Sequence, residues 1–308
     1  MDRAIDHQIT LDPGGRNSRR LYAAARERAG EPLVGRAAER LLEAIGGDRT
    51  AGSDRTKTGG RRAGVDAGDV AIVTGFPIPP AATPETDGPL GAAVLAGALE
   101  RLGARPVFVV DGRTEPIVAA VADAAGLESM LTIPPAAAAD RLADGRVSAV
   151  VTIETPGRCA DGSHRTMAGE DISSLVDPVD DLVERAVDRG IPTVGVGDGG
   201  NEVGMGALRP AVERHVAGGE TIACVTAAES LVVAGVSNWG AYGISAALAD
   251  RTGRSLLHTP ETERRLLEVA VEAGAIDGVS GRAEPTVDGI DRTVHERVVG
   301  VLNALCRD

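Results

Sequence analysis

Short apolar runs alternate with longer amphipathic stretches from residue 69 onwards. Continuous apolar runs bounded by turn residues are typical of strands that are buried on both faces of a sheet. We predict strands at 70–73, 107–110, 147–153, 193–194 and 221–225. We predict helices at 89–102, 116–125 and 176–188, and one that breaks near Pro210. This alternation predicts an α/β fold: a mostly parallel sheet flanked by helices.

The N-terminal part of the chain has a different pattern. Leucine and alanine recur at helical spacing over 17–45, with an interruption at Glu31-Pro32, so we predict an N-terminal helical hairpin. Residues 46–68 are rich in Gly, Arg, Thr and Asp without periodicity, which predicts a mobile or extended loop. We therefore divide the chain into an N-terminal helical segment with a mobile loop, 1–66, and an α/β domain, 67–308.

One uncharged stretch, 230–249, has the length needed to span a bilayer. It contains Asn238 and several Ser and Gly residues, so a buried helix, whole or broken, is the better interpretation. The charged first thirty residues do not resemble a signal peptide, and the three cysteines have no metal-ligand spacing. We expect a cytoplasmic protein without membrane contact.

Composition narrows the functional classes. The net charge is −13 and Lys57 is the only lysine, a balance typical of proteins from a high-salt (halophile) cytoplasm, although GC-rich coding also depletes lysine. Only five residues are aromatic, so the core must consist mainly of Ala, Val, Leu and Ile. An acidic, aromatic-poor chain is a poor candidate for binding nucleic acid, and we expect no such partner.

The segment from Gly195 to Gly206 contains six glycines around two acids and one amide. Glycines allow sharp turns and a close approach of the backbone to a ligand. A loop built only for phosphate would not carry Asp198 and Glu202, because like charges repel. The segment therefore indicates a metal site, a site for a cationic substrate group, or proton transfer. The alternative is a strand-to-helix turn with capping acids.

Several such motifs follow predicted strands directly, and the carboxyl ends of parallel strands form one edge of a sheet, where α/β proteins bind ligands. The residues after the five strands are Thr74-Gly75, Asp111, Glu154, Gly195 to Glu202, and Thr226. The sequence thus predicts a binding cleft at this edge.

Acids outnumber arginines near the predicted cleft, and buried carboxylates must be protonated, paired or metal-bound. The acids are Glu85, Asp87, Glu154, Asp161, Asp171, Asp198 and Glu202. We retain Glu154, Asp198 and Glu202 as catalytic candidates and as ligands of Mg²⁺ or Mn²⁺, which prefer hard oxygens. The others are expected to cap helices or face water; Asp87, for example, is the predicted N-cap of the helix at 89–102.

Arg158 is the candidate anchor for a carboxylate of a small anionic substrate, because a guanidinium offers two parallel donors; a surface ion pair is the alternative. The glycines of 195–200 imitate part of a dinucleotide fingerprint. However, the acid that binds ribose should end the next strand, and the strand predicted at 221–225 ends at Thr226. We expect no nucleotide cofactor.

Four motifs resemble those of the D-glutamate cyclase family. They are Gly197-Asp198-Gly199-Gly200-Asn201-Glu202-x-Gly204-Met205-Gly206; Thr74-Gly75-Phe76 with Glu85-Thr86-Asp87-Gly88-Pro89; Glu154-x-Pro156-Gly157-Arg158 with Asp161-Gly162; and Ser237-Asn238-Trp239-Gly240. The resemblance spans roughly residues 67 to 290. Eukaryotic members carry a further domain that we do not recognise here.

The resemblance implies a hydro-lyase that converts D-glutamate to 5-oxo-D-proline with loss of water. The resemblance, together with the positions of the motifs, also gives the predicted substrate-binding residues: Arg158, Thr74, Gly75, Asp87, Gly199, Gly200, Asn201 and Asn238. Two alternatives stay open: an Mg²⁺- or Mn²⁺-dependent phosphohydrolase, and a non-catalytic module that binds a small ligand.

Overall fold

The computed structural model describes residues 1–46 and 68–306, which form twelve α-helices and ten strands. The helices are α1 (Asp2–Ile9), α2 (Ser18–Ala29), α3 (Leu33–Ile45), α4 (Pro89–Arg101), α5 (Glu115–Ala125), α6 (Pro135–Ala143), α7 (Asp180–Asp188), α8 (Arg209–His215), α9 (Gly219–Ile222), α10 (Ser237–Thr252), α11 (Pro260–Glu272) and α12 (Arg292–Leu305). The strands are β1 (Asp69–Thr74), β2 (Pro77–Ile78), β3 (Thr83–Pro84), β4 (Arg105–Val109), β5 (Thr132–Ile133), β6 (Val147–Ile153), β7 (Thr193–Gly197), β8 (Ser230–Val233), β9 (Thr286–Val287) and β10 (Ile290–Asp291).

Six of these strands form one parallel sheet in the order β5-β4-β1-β6-β7-β8. Numbered by their sequence within the sheet, the order is 3-2-1-4-5-6, the doubly wound arrangement. The order reverses between β1 and β6, and the crevice outside the carboxyl ends of these two strands is where such sheets bind ligands. The predicted α/β class, with a parallel sheet and an N-terminal helical hairpin, is confirmed.

Alternate residues of the central strand enter two different cores, as the two-residue period of a strand requires. Val70 and Ile72 pack in the larger core, which α4, α5, α10 and the N-terminal helices cover. Ala71 and Val73 pack in the smaller core, together with residues of α6 and α7. Both faces of the sheet are therefore covered, which explains why its strands are continuous apolar runs.

The N-terminal helices pack against the rest of the fold. α1 and α3 contact α10, and α2 and α3 contact β8. Asp6 of α1 is fully buried and accepts backbone N–H hydrogen bonds from Leu33 (2.9 Å) and Val34 (3.1 Å) at the start of α3. The sequence pattern had not predicted α1. The loop predicted at 46–68 lies almost wholly outside the described residues.

Two predicted elements were wrong. The strand predicted at 221–225 is absent; Gly219–Ile222 forms the short helix α9, and the last strand of the sheet is β8. Consequently the stretch at 230–249 is not one helix, because its first four residues are β8 and only Ser237 onwards is α10. Val232 and Val233 are as apolar as the buried residues of a helix, so composition alone did not separate the strand β8 from the helix α10. No described helix has both the length and the apolar character needed to cross a membrane.

Candidate active site

Side chains from three parts of the chain meet at the carboxyl edge of the sheet, beside the point where its strand order reverses. Glu154 directly follows β6, Asp198 directly follows β7, and Asp87 precedes α4. Each of these residues contributes one carboxylate oxygen, and these three oxygens all lie within 4.8 Å of one another. The three residues are buried, so their charges are poorly screened by water.

Glu154 is held in an unusual backbone conformation, with φ of 45° in the left-handed region that disfavours a side chain. A residue held there costs free energy, and such residues concentrate at functional sites. Close packing leaves little room around it: a Cβ on Gly88 would lie 3.0 Å from the Glu154 Cβ and 2.5 Å from the Thr74 hydroxyl. Oε2 of Glu154 is buried and has no hydrogen-bond partner among the described residues.

Asp87 and Asn238 join the start of α4 to the start of α10. The Asp87 carboxylate accepts hydrogen bonds from the backbone N–H groups of Ser237 and Asn238, both at 2.8 Å, and from Gly88 at 3.0 Å. The Asn238 Oδ1 in return accepts from Gly88 (3.0 Å) and Gly91 (2.7 Å). Asp87 was predicted to cap α4, and this was wrong: Gly88 is the N-cap of α4, and the Asp87 carboxylate caps α10.

Glu202 occupies the centre of the glycine-rich loop rather than facing outwards. Its carboxylate accepts hydrogen bonds from the backbone N–H groups of Asp198 (2.9 Å), Gly199 (2.6 Å) and Gly200 (2.6 Å). These are the donors that the sequence had suggested for a ligand. Glu202 therefore folds the loop around itself and fixes the position from which Asp198 reaches the site.

The remaining predicted substrate-binding residues are divided between the site and its surroundings. Thr74 ends β1 and Gly75 follows it, and the buried Thr74 hydroxyl has no hydrogen-bond partner among the described residues. The Asn201 side chain donates to the Arg165 carbonyl at 2.8 Å, and so belongs to the packing of the loop. The Arg158 guanidinium pairs with Asp181 (3.2 Å) and Glu184 (2.6 Å) at α7, the surface ion pairs that were its alternative.

Sequence reasoning did not select three further charged residues of the site: Arg16, Glu85 and Asp288. The Arg16 guanidinium lies 2.6 Å from Asp198 and 2.6 Å from Asp288. These partners are separated from it by 182 and 272 positions, so no local pattern could join them. The one local signal was glycine: Arg16 follows Gly14-Gly15 and Asp288 precedes Gly289, and both places are tight turns.

We call five acids the carboxylate cluster: Glu85, Asp87, Glu154, Asp198 and Asp288, each between 1% and 8% exposed. Burial, followed by the charge of Asp288, raises the pKa of Asp87 to about 8, although N–H groups of Asn238 and Ser237 oppose the shift. Burial and then the charge of Asp198 raise the pKa of Glu154 well above its usual range.

Arg16 carries the opposite charge in the same place. Burial alone would lower its pKa, but the charges of Asp198 and Asp288 outweigh burial and raise the pKa above its ordinary value. One guanidinium cannot neutralise five carboxylates, so the cluster must also hold protons or a second cation. Such a site can bind an ammonium group or a metal ion, and it can accept and return protons.

Comparison with known proteins identifies relatives of this chain. A family model described as D-glutamate cyclase-like, C-terminal, matches residues 5–303 of the chain. The chain belongs to the D-glutamate cyclase-like family. Human mitochondrial D-glutamate cyclase is 35% identical over 269 residues, an alignment that covers 73% of this chain and 43% of the human protein. The chain thus spans less than half the length of that relative. The family match begins at residue 5 and so includes Arg16, whereas the resemblance predicted from the sequence began near residue 67.

Replacing Glu202 by Gln should destabilise the protein, because an amide NH₂ would then face one of the three backbone N–H groups that the carboxylate accepts. We expect the free energy of unfolding to fall by about 1–3 kcal/mol. Denaturant unfolding measures this change, with the exposed Glu272→Gln on α11 as the matched control. If Glu202→Gln instead left the stability unchanged and abolished conversion of D-glutamate, this would support the catalytic role that the sequence suggested for Glu202.

The raised pKa values predict how stability depends on pH. Asp87 and Glu154 bind protons more tightly in the folded protein than in the unfolded chain, where carboxyl pKa values are about 4. In metal-free buffer with a chelator, the free energy of unfolding should therefore fall as pH rises from about 4 towards about 8. Glu154→Gln removes one such group, so its stability relative to wild type should rise with pH. Parallel curves for the two proteins would contradict this.

Proposed function

We propose that the protein catalyses the conversion of D-glutamate to 5-oxo-D-proline and water, as a carbon–oxygen lyase. Membership of the D-glutamate cyclase-like family supports the reaction. The observation that carries the proposal is the carboxylate cluster itself, which is buried where the strand order reverses. Within the described part of the chain, its Glu154 Oε2 has no hydrogen-bond partner. A site of this kind suits a substrate that brings its own positive charge and must lose protons.

The reaction requires one new bond and one broken bond. The amine nitrogen of glutamate attacks the carbon of its own γ-carboxyl group, and an oxygen of that group leaves. The nitrogen begins as an ammonium with three protons and ends as an amide with one. The two protons it loses leave with the expelled oxygen as water. The site must therefore take protons from nitrogen and deliver them to oxygen.

The carboxylate cluster is suited to both requirements. Its negative charge attracts the substrate ammonium, and Glu154, with a free oxygen atom and a raised pKa, is the proposed acceptor of the ammonium proton. The same carboxyl group then donates that proton to the departing oxygen, and a second transfer of the same kind carries the other proton from nitrogen to this oxygen, which leaves as water. Asp198 and Asp87 hold the ammonium beside Glu154, and fixing the substrate in its cyclising conformation supplies a large part of the acceleration.

The glycine-rich loop weighs against the phosphohydrolase alternative. A phosphate-binding loop offers free backbone N–H groups to its ligand, whereas three N–H groups of this loop donate to the Glu202 carboxylate. In this proposal Glu202 acts as a positioning residue: it holds the loop so that Asp198 lies beside Glu154 and Asp87.

We also propose that the site holds Mg²⁺ or Mn²⁺. Asp87, Glu154 and Asp198 offer the hard oxygen ligands that these ions prefer, and a cation would offset their excess charge. The sequence had suggested Glu202 as the third ligand; Asp87 takes its place in this proposal because its carboxylate lies within 4.8 Å of those of Glu154 and Asp198. The bound ion would polarise the γ-carboxyl group of the substrate.

Purified protein incubated with D-glutamate should form 5-oxo-D-proline, measured by chiral chromatography with mass detection. Glu154→Gln should lower kcat by about 10²–10⁴-fold, because the change keeps the side-chain volume but removes the proton acceptor. The matched control is Glu272→Gln, which alters an exposed residue of α11 and should leave kcat unchanged.

Parallel incubations with L-glutamate, with and without Mn²⁺, test the stereochemistry and the metal requirement. Failure of the wild-type protein to cyclise either enantiomer, with Mn²⁺ present, would refute the proposed reaction. Release of phosphate from a phosphate ester would then favour the phosphohydrolase, and ligand-dependent stabilisation without turnover would favour the binding module.

Titration of the metal-free protein with Mn²⁺ should reveal one bound ion per chain, by calorimetry and by loss of the free-ion signal in electron paramagnetic resonance. Asp198→Asn and Glu154→Gln should each weaken this binding by about tenfold or more, because each removes a charged ligand. Asp123→Asn, at an exposed position of α5, is the control. Equal affinities for wild type and both site variants would place any bound Mn²⁺ elsewhere.

A further inference from the structure

Arg16 supplies positive charge to the site from outside the sheet. It lies in the segment between α1 and α2, and its Nη1 and Nη2 donate to Asp198 and Asp288 respectively, each at 2.6 Å. Across residues 1–46 and 68–306, no other arginine side chain forms a hydrogen bond or ion pair with the carboxylate cluster. The Arg16 side chain keeps 18% of its surface exposed, so it is not fully enclosed by its two partners.

The segment that carries Arg16 is fixed at several points. The backbone N–H of Gly235 donates to the end of α1, and a Cβ on Gly235 would lie 1.7 Å from the Leu11 carbonyl oxygen, so only glycine leaves room for the segment. The Asp12 carboxylate accepts from the Arg16 N–H at 2.8 Å, and the Asn17 side chain donates to the end of α8 at 3.1 Å. The fold therefore holds Arg16 in place from both sides.

Apart from the Thr74 hydroxyl, the donors that the sequence had suggested for an anion at this edge are occupied. The three N–H groups at the start of the glycine-rich loop donate to Glu202. Arg158, the anchor suggested by the sequence, pairs with Asp181 and Glu184 instead. The substrate of the proposed reaction nevertheless brings two carboxylates as well as one ammonium. Carboxylate side chains can bind the ammonium but repel the two anionic groups.

We propose that Arg16 binds the α-carboxylate of the substrate, an inference that rests on the proposed function. A guanidinium has five N–H donors, and its bonds to Asp198 and Asp288 use two of them. Asp198 belongs both to the proposed ammonium site and to the Arg16 pair. Since the amine and the α-carboxylate share one carbon atom, a substrate whose amine lies at Asp198 brings its α-carboxylate to the guanidinium. The α-carboxylate keeps its charge in the product, so Arg16 binds substrate and product alike.

The decisive probe is 5-oxo-D-proline, which retains only the α-carboxylate and can be titrated by calorimetry without turnover. We expect Arg16→Gln to weaken its binding by about tenfold or more, and Arg16→Lys to lie between, because lysine keeps the charge but loses the planar fork. Arg19→Gln, at an exposed position of α2, should bind as wild type does. The neutral 5-oxo-D-prolinamide should bind wild type and Arg16→Gln equally.

Kinetics provides a second readout. With D-glutamate, Arg16→Gln should raise KM by about tenfold or more while kcat changes less, because the lost contact is present before and after ring closure. Circular dichroism checks the fold of each variant. Should Arg16→Gln not fold, Arg16→Lys still tests the inference, since weaker binding of 5-oxo-D-proline with unchanged binding of the amide is expected.

Equal affinity of wild type and both Arg16 variants for 5-oxo-D-proline would overturn the inference and leave Arg16 as a counter-charge for Asp198 and Asp288. The same conclusion would follow if the affinities for acid and amide fell together. Absence of D-glutamate turnover by wild type, with binding of 5-oxo-D-proline that still depends on Arg16, would refute the proposed reaction and keep Arg16 as the carboxylate anchor.

Discussion

The structure is organised around one electrostatic constraint, the burial of five carboxylates beside a single guanidinium. An ionised carboxylate loses much of its hydration when it is buried, and the loss must be compensated by hydrogen bonds, by opposite charge or by protonation. Two of these methods are visible here. Asp87 receives backbone N–H groups, and Asp198 and Asp288 receive Arg16, whereas one oxygen of Glu154 has no hydrogen-bond partner among residues 1–46 and 68–306.

Helix α10 connects this site to the core. Its first two residues donate to Asp87, where the partial positive charge of the helix N-terminus favours an anion. Its body is buried against α4 and the N-terminal helices, and it carries Trp239 and Tyr242, which are fully buried. The uncharged composition that resembles a membrane span thus reflects a helix enclosed by protein on all sides. A rigid helix of this kind keeps the carboxylate in a fixed position.

Local pattern predicted most of the sheet, because each strand is buried on both faces and so appears as a continuous apolar run. The same criterion failed at β8, since its four residues continue into α10 without any charged residue between them. It also failed at 221–225, where Gly218-Gly219 starts a single helical turn. Strand-end placement correctly suggested that Glu154 and Asp198 would lie close together, because parallel strands end at one edge.

The sequence was less informative about the role of each site residue, since roles depend on contacts between distant segments. Glu202 looked like a reactive acid until its three backbone partners were known. Arg158 looked like an anchor because it follows a turn, but its partners lie on α7. Arg16 belongs to no strand end and no apolar pattern, and only the docking of its segment beside Gly235 brings it to Asp198.

The placement of Arg16 affects how this protein can be divided. A fragment that begins at residue 68 would retain the whole sheet and all five clustered carboxylates, yet it would lose the guanidinium that two of them contact. Its partner, residues 1–46, would carry the arginine in the segment between α1 and α2, two of the three helices that contact β8 or α10. The complete candidate site would then form only where the two pieces reassociate, as in a split reporter enzyme.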